Sequence, residues 1–246
     1  MDDQKFINAH EKALSLFEDK RSIGVYCEKK LHAILKFYIE PDQSCHELTV
    51  NGFIADIFKN NQIYEIQTSS FNKLRKKLDT YLKDYPVTIV FPIAYNKWLY
   101  WIDEESGEIT KKRKSPKQGS YFDSVKELYK IKMYLKNKNL SVCLVLMDIE
   151  EYRILNGWSN DKKKGSSRYE RMPIRIENML TLSKTSDFKV FLPYNIDTPF
   201  TSRQYSELTK INLKNAQILL NILTYIGLIK KSGKIKNSIL YEINSY

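Results

Sequence analysis

The chain has 246 residues, 42% of them hydrophobic and 28% charged, and its 40 Lys and Arg against 29 Asp and Glu give a net charge of +11. This composition excludes extended disorder and a collagen-like chain, and no apolar run approaches the roughly 20 residues of a membrane-spanning helix. Cys27, Cys45 and Cys143 are far apart and form no CxxC pair, which excludes a disulfide framework and a thiolate zinc site.

The acidic start Met1-Asp-Asp-Gln carries no apolar leader, so a cytoplasmic protein with no membrane partner is expected. The charge is uneven. Residues 1–104 hold 14 basic and 15 acidic residues, residues 105–186 hold 18 and 10, and residues 187–246 hold 8 and 4. A polyanionic partner contacted by the C-terminal part accounts for this, and so does plain Lys enrichment.

In chain order, apolar periodicity predicts a helix over residues 4–20 and a second from Val25 to Ile39. Strands follow over Cys45–Val50, Phe53–Phe58 and Gln62–Gln67, joined by Asn51-Gly52 and Asn60-Asn61, both suited to tight hairpins. A helix over Phe71–Lys83 precedes a strand over Val87–Phe91, which Pro92 is expected to stop. Lys97–Asp103 and Glu108–Arg113 read as a hairpin, with Trp98–Trp101 in the core and Lys111–Lys117 as a basic loop. Tyr121–Lys136 reads as a helix and Leu140–Tyr152 as a strand. Residues 157–172 read as a polar loop that, with Lys162–Arg175, offers a clamp for a nucleic-acid backbone.

Near Pro193 the pattern changes. Thr201-Ser-Arg-Gln204 is a capping box for a helix to about Lys210, and Asn212 caps a second, Leu213–Ile226, stopped at Gly227. Two short strands, Leu228–Lys231 and Ile239–Ile243, complete the order of a winged helix-turn-helix. Lys214, Asn215, Gln217, Asn221 and Tyr225 on its second helix are candidates for the DNA groove, with Arg203 and Tyr205 on the backbone. Lys230, Lys231, Lys234 and Lys236 lie on the wing. Winged helices also dock proteins, so a protein partner or a second copy of the chain is the other expected occupant.

The chemistry is in the first three strands. Two-residue turns at Asn51-Gly52 and Asn60-Asn61 set Glu47 opposite Asp56 and Asp56 opposite Glu65, with Gln67 on the same face. Three adjacent carboxylates in apolar strands call for a cation, and hard oxygen ligands suit Mg²⁺ or Mn²⁺. The other reading is a solvated strand face on which each carboxylate meets a Lys. His32 and His46 read as structural or surface residues.

Helix, three antiparallel strands, helix, strand is also the core order of the PD-(D/E)xK nucleases. Phe53-Ile-Ala-Asp56 … Tyr64-Glu-Ile-Gln67-Thr-Ser-Ser and Leu74-Arg-Lys-Lys-Leu-Asp-Thr-Tyr81 resemble the ExQ variant of competence-associated nuclease-like proteins, over about residues 22–92. The whole chain resembles a group of bacterial proteins with a nuclease-like N-terminal half. The resemblance implies an α/β restriction-endonuclease-like core, a mixed sheet flanked by helices, over residues 1–186, beside the winged helix of 187–246. It implies metal ligation by Asp56 and Glu65, with Glu47 from the row and the carbonyl of Ile66, and a further role for Glu28. Gln67 stands where most members have Lys, so Lys73 or Lys77 is expected to supply the missing charge. The implied activity is metal-dependent DNA cleavage. The alternatives are a non-catalytic DNA-binding regulator and an adaptor, both with a decayed nuclease core.

Overall fold

The computed structural model describes residues 3–18, 29–157 and 165–244. Helices α1 (Asp3–Glu18) and α2 (Lys29–Ile39) lead into strands β1 (His46–Val50), β2 (Phe53–Lys59) and β3 (Gln62–Ile66). A 3₁₀ turn, Phe71–Leu74, precedes α3 (Arg75–Asp84), and β4 (Val87–Asp103) follows. Then come β5 (Arg113–Lys114), α4 (Val125–Lys130), β6 (Leu140–Gly157) and β7 (Gly165–Leu182). The chain closes with β8 (Phe200–Thr201), α5 (Ser202–Thr209), α6 (Leu213–Ile226), β9 (Ile229–Ile235) and β10 (Ser238–Ile243).

One mixed sheet runs β1-β2-β3-β4-β6-β7, with β5 paired to β4. Hairpins make β1, β2 and β3 antiparallel, whereas β3–β4 and β4–β6 are parallel, each joined by a helical crossover. Apolar residues cover both faces. On one, Ala9 and Ala13 of α1 and Ile34, Leu35 and Phe37 of α2 pack with Ile57, Ile66, Val90 and Val145. On the other, Leu78 of α3 and Val125 and Leu128 of α4 pack with Ile63, Ile89 and Leu144. That second cluster continues into Tyr205, Leu219, Leu220, Leu223 and Leu228, so no break in the core marks residue 187.

Three expectations are corrected. Pro92 does not end β4, which runs on to Asp103 paired with β6. The last β3 partner of β4 is Val90, so Pro92 falls where β4 has become an edge on that side and its missing N–H goes unmissed. Residues 165–172 are strand, not loop: β7 pairs with β6 along its length. Its charges are matched across the ladder, with Arg175 on Asp148 at 3.2 Å and Arg168 on Glu151 at 3.5 Å, so it lacks an apolar pattern. The helix expected over Tyr121–Lys136 is divided into α4 and flanking 3₁₀ turns at Tyr121–Ser124 and Lys132–Tyr134.

At the C-terminus the caps form as the sequence predicts. Thr201 and Gln204 bond reciprocally, Asn212 Oδ1 accepts from Asn215 N at 2.9 Å, and Gly227 takes φ 89°. Strands β8, β10 and β9 form a second sheet. Among the described residues no helix is long and apolar enough to cross a membrane.

Candidate functional site

Both tight turns form with the left-handed backbone their Asn and Gly residues permit. Asn51 and Gly52 take φ 47° and 83°, and Asn60 and Asn61 take φ 50° and 58°. They fix Val50 opposite Phe53 and Lys59 opposite Gln62, so continuing the β2–β3 register sets Asp56 across from Glu65.

Regular pleating stops at Asp56. Ala55 belongs to the core beneath α3 and Ile57 to the core beneath α1 and α2, although residues two apart on a regular strand share a face. The paired β2–β3 rungs end at Ile57–Tyr64. Freed there, Asp56 Oδ2 accepts from the Ile66 backbone N–H at 2.7 Å and meets His32 Nε2 of α2 at 3.1 Å. Glu65 is 3% exposed, and Lys77 Nζ of α3 donates to its two oxygens at 2.9 and 2.8 Å. The same ammonium donates to the Ile54 carbonyl at 2.6 Å.

Environment sets the two carboxyls apart. Burial acts against the charge of Asp56, but the His32 hydrogen bond and charge, with the Ile66 N–H, hold its pKa below the ordinary value. Burial first, then the neighbouring Asp56, pushes Glu65 up to about 7 despite Lys77. The pair thus combines one firmly ionised oxygen donor with one poised near neutrality.

The row does not extend to Glu47. Its backbone is left-handed, φ 54°, and it falls out of the β1–β2 pairing. Its side chain is 67% exposed and accepts from Lys36 Nζ at 2.6 Å, which lowers its pKa. The expected three-carboxylate cluster is therefore corrected to a pair. Among the described residues no group of three His, Cys, Asp or Glu side chains comes together for a metal ion. Two carboxylates do meet lysines, Glu47 with Lys36 and Glu65 with Lys77, but Glu65 does so in the interior.

Gln67 turns away. Its Nε2 donates to Ser69 Oγ at 3.2 Å and the Ser70 carbonyl at 3.0 Å, bracing the turn into α3. Lys73 is exposed on that turn, and Lys77 is the cation that reaches the pair. Glu28 lies outside the described residues. His32 is the site residue that the sequence reading set aside. Its helix holds a legible signal, because His32 and Lys36 are one turn apart and meet Asp56 and Glu47 from the same face. His46 is structural, its Nε2 donating to the Glu40 carbonyl at 2.8 Å.

On α6, Lys214, Gln217 and Asn221 form an exposed stripe, and Asn215 is half-buried. Asn221 Oδ1 accepts from Lys132 Nζ at 2.8 Å and the Tyr225 hydroxyl donates to the Met133 carbonyl at 3.2 Å, so the end of α6 faces the segment after α4. Tyr205 is not on the surface; it is buried, with its hydroxyl on the Phe191 carbonyl. Arg203 is exposed, as are Lys231, Lys234 and Lys236 around the β9–β10 turn, while Lys230 pairs with Glu242 at 3.4 Å.

The family model described as Domain of unknown function (DUF8091) matches residues 29–183, a span that includes Asp56, Glu65, Gln67 and Lys77. A Treponema pallidum (strain Nichols) chain described as an uncharacterized protein is 30% identical over 169 residues, 68% of this chain and 64% of that one. The chain thus spans less than two thirds of that relative's length. No solved structure matches. With α2 through β7 inside the matched span, the chain belongs to the DUF8091 family.

Proposed function

We propose that the chain is a Mg²⁺- or Mn²⁺-dependent hydrolase of the PD-(D/E)xK type that cuts phosphodiester bonds in DNA, with the C-terminal helices and hairpin acting as a winged helix on the duplex. The observation that carries this reading is the buried Asp56–Glu65 pair with Lys77 bound to Glu65. A mixed sheet flanked by helices around it supports this reading.

The donor set fits the metal. Mg²⁺ is commonly held by one or two carboxylates, with water and substrate phosphate completing its shell. Asp56 and Glu65 provide two neighbouring carboxylates, and the pKa of Glu65 is raised first by burial and then by the repulsion of Asp56, which a cation relieves. When bound, the ion supplies charge neutralisation at the phosphate and acidifies a water. The chain's own residues do the rest. The Ile66 N–H and His32 hold Asp56 ionised and oriented, and Lys77 is the ammonium for charge developing on the phosphate. Gln67 shapes the turn that delivers α3.

The test is cleavage of supercoiled, linear, nicked, branched and single-stranded DNA with Mg²⁺ or Mn²⁺. Asp56→Ala and Glu65→Ala should abolish cleavage and retain DNA binding, since most of the basic excess lies after residue 104. Gln67→Lys should leave the rate flat or lower, because Lys77 already supplies the ammonium. A large gain would mean that Gln67 marks a decayed site.

One observation favours a second reading, a DNA-binding regulator or adaptor with a non-catalytic core: His32 and Lys77 already provide a side-chain partner for each carboxylate. Absence of cleavage with steeply salt-dependent DNA binding would select the regulator, and absence of both would select the adaptor.

A further inference from the structure

Tyr81 of α3 is fully enclosed, and its hydroxyl has no hydrogen-bond partner among the described residues. Such a group is uncommon in a folded protein and costs stability. Its surroundings give it a use. Tyr81 is one turn after Lys77, on the same helix face. Its ring meets Phe53 edge-on at 6.0 Å, next to Ile54, whose carbonyl Lys77 holds. Long side chains on a helix lean toward its N-terminus, which directs the phenol back to the turn of Lys77 and Glu65. Burial, then the negative charges of Glu65 and Asp56, keeps the phenol protonated, so it is a donor.

The donor count near Glu65 is unbalanced. One ammonium serves three acceptors, the two oxygens of Glu65 and the Ile54 carbonyl, while the adjacent phenol serves none. An ammonium that stabilises a phosphate must give up contacts with Glu65, and a buried carboxylate stripped of its donor is strongly disfavoured.

We infer that Tyr81 is a positioning residue that takes over Glu65 when Lys77 turns to an entering phosphate. The Lys77–Glu65 hydrogen bonds break, the Tyr81 hydroxyl donates to Glu65, and the phenol keeps its proton throughout. This rests on the reading of Asp56 and Glu65 as a hydrolytic site, and supplies Glu65 with a partner while Lys77 is engaged elsewhere.

A double-mutant cycle on the full chain, free of metal and nucleic acid, tests the exchange. Tyr81→Phe alone should leave Tm within about 1 °C of the parent or raise it, because it deletes an unpartnered hydroxyl. In a Lys77→Met background, where Tyr81 becomes the donor to Glu65, the same change should lower Tm by about 3 °C or more. Equal shifts in both backgrounds would overturn the inference. Should Lys77→Met fail to fold, Mn²⁺ titration of Tyr81→Phe in the presence of inorganic phosphate decides: about tenfold weaker binding than the parent is expected, and unchanged affinity would overturn it. Coupling in the cycle without any DNA cleavage would sustain the exchange and sink the hydrolase reading. Cleavage with additive stabilities would do the reverse.

Discussion

Glu65 ties the candidate chemistry to the stability of the fold. Its pKa is raised from the ordinary 4.5 to about 7, so the folded state holds a proton that the unfolded chain releases earlier. Its contribution is fully present below pH 4.5 and is lost as pH rises through 7. At 1.36 kcal/mol per pK unit the loss is about 3 kcal/mol. Glu65→Gln cannot ionise, so without metal it should gain on the parent between pH 5 and pH 8 by that order in urea unfolding. A pH-independent difference would contradict the assigned environment. The geometry that makes Glu65 special was only half legible. The turn chemistry of Asn51-Gly52 and Asn60-Asn61 dictates its register with Asp56, because each turn demands positive φ at its centre. Glu47 was illegible because its backbone turns left-handed there and Lys36, from another element, takes its carboxylate. Tyr81 reads as an inward residue from periodicity alone, which says nothing of an unpartnered hydroxyl.

At the scale of elements, the β1–β2 hairpin sets the site by a single turn. Gly52 takes φ 83° with no atom within 4 Å of a built Cβ, so a side chain there meets open space but a strained backbone. Gly52→Val should therefore cost about 1–2 kcal/mol without creating a clash. Thermal unfolding measures the loss, and, on the proposed metal reading, Mn²⁺ binding equal to the parent's would show that the register survives. Strand β7 was illegible for a different reason. Periodicity detects burial against apolar neighbours, whereas β7 places Arg168 and Arg175 against Glu151 and Asp148. Charges read as loop until their partners are known. The helices α5 and α6 were legible because their caps are local, Thr201 with Gln204 and Asn212 with Asn215.

For the whole molecule, the carboxylate pair and the basic surface lie in different parts of the chain. Exposed Lys231, Lys234 and Lys236 share one hairpin and take no part in the buried clusters. Replacing all three by Ala should leave unfolding unchanged and reduce the slope of log Kobs against log salt by about 3 for duplex DNA, near 0.9 per phosphate contact. An unaltered slope would remove this hairpin from the proposed DNA interface.

The charged outer half of the sheet has a dynamic consequence. Past Ala94, strands β4, β6 and β7 are tied by Glu151 of β6 with Lys97 of β4 and Arg168 of β7, each at 3.5 Å, and by the stacked rings of Tyr100 and Tyr152. The inner half is tied by Val90, Val142, Leu144 and Val145. Screening weakens the first kind of tie and spares the second. Rising ionic strength should therefore let amide hydrogens of residues 150–154 and 167–171 exchange sooner, while those of residues 87–90 and 142–145 keep their protection. The sheet should then be divided in its cooperativity: its outer half is expected to open as a unit while the inner half, beside the strands of the carboxylate pair, stays closed.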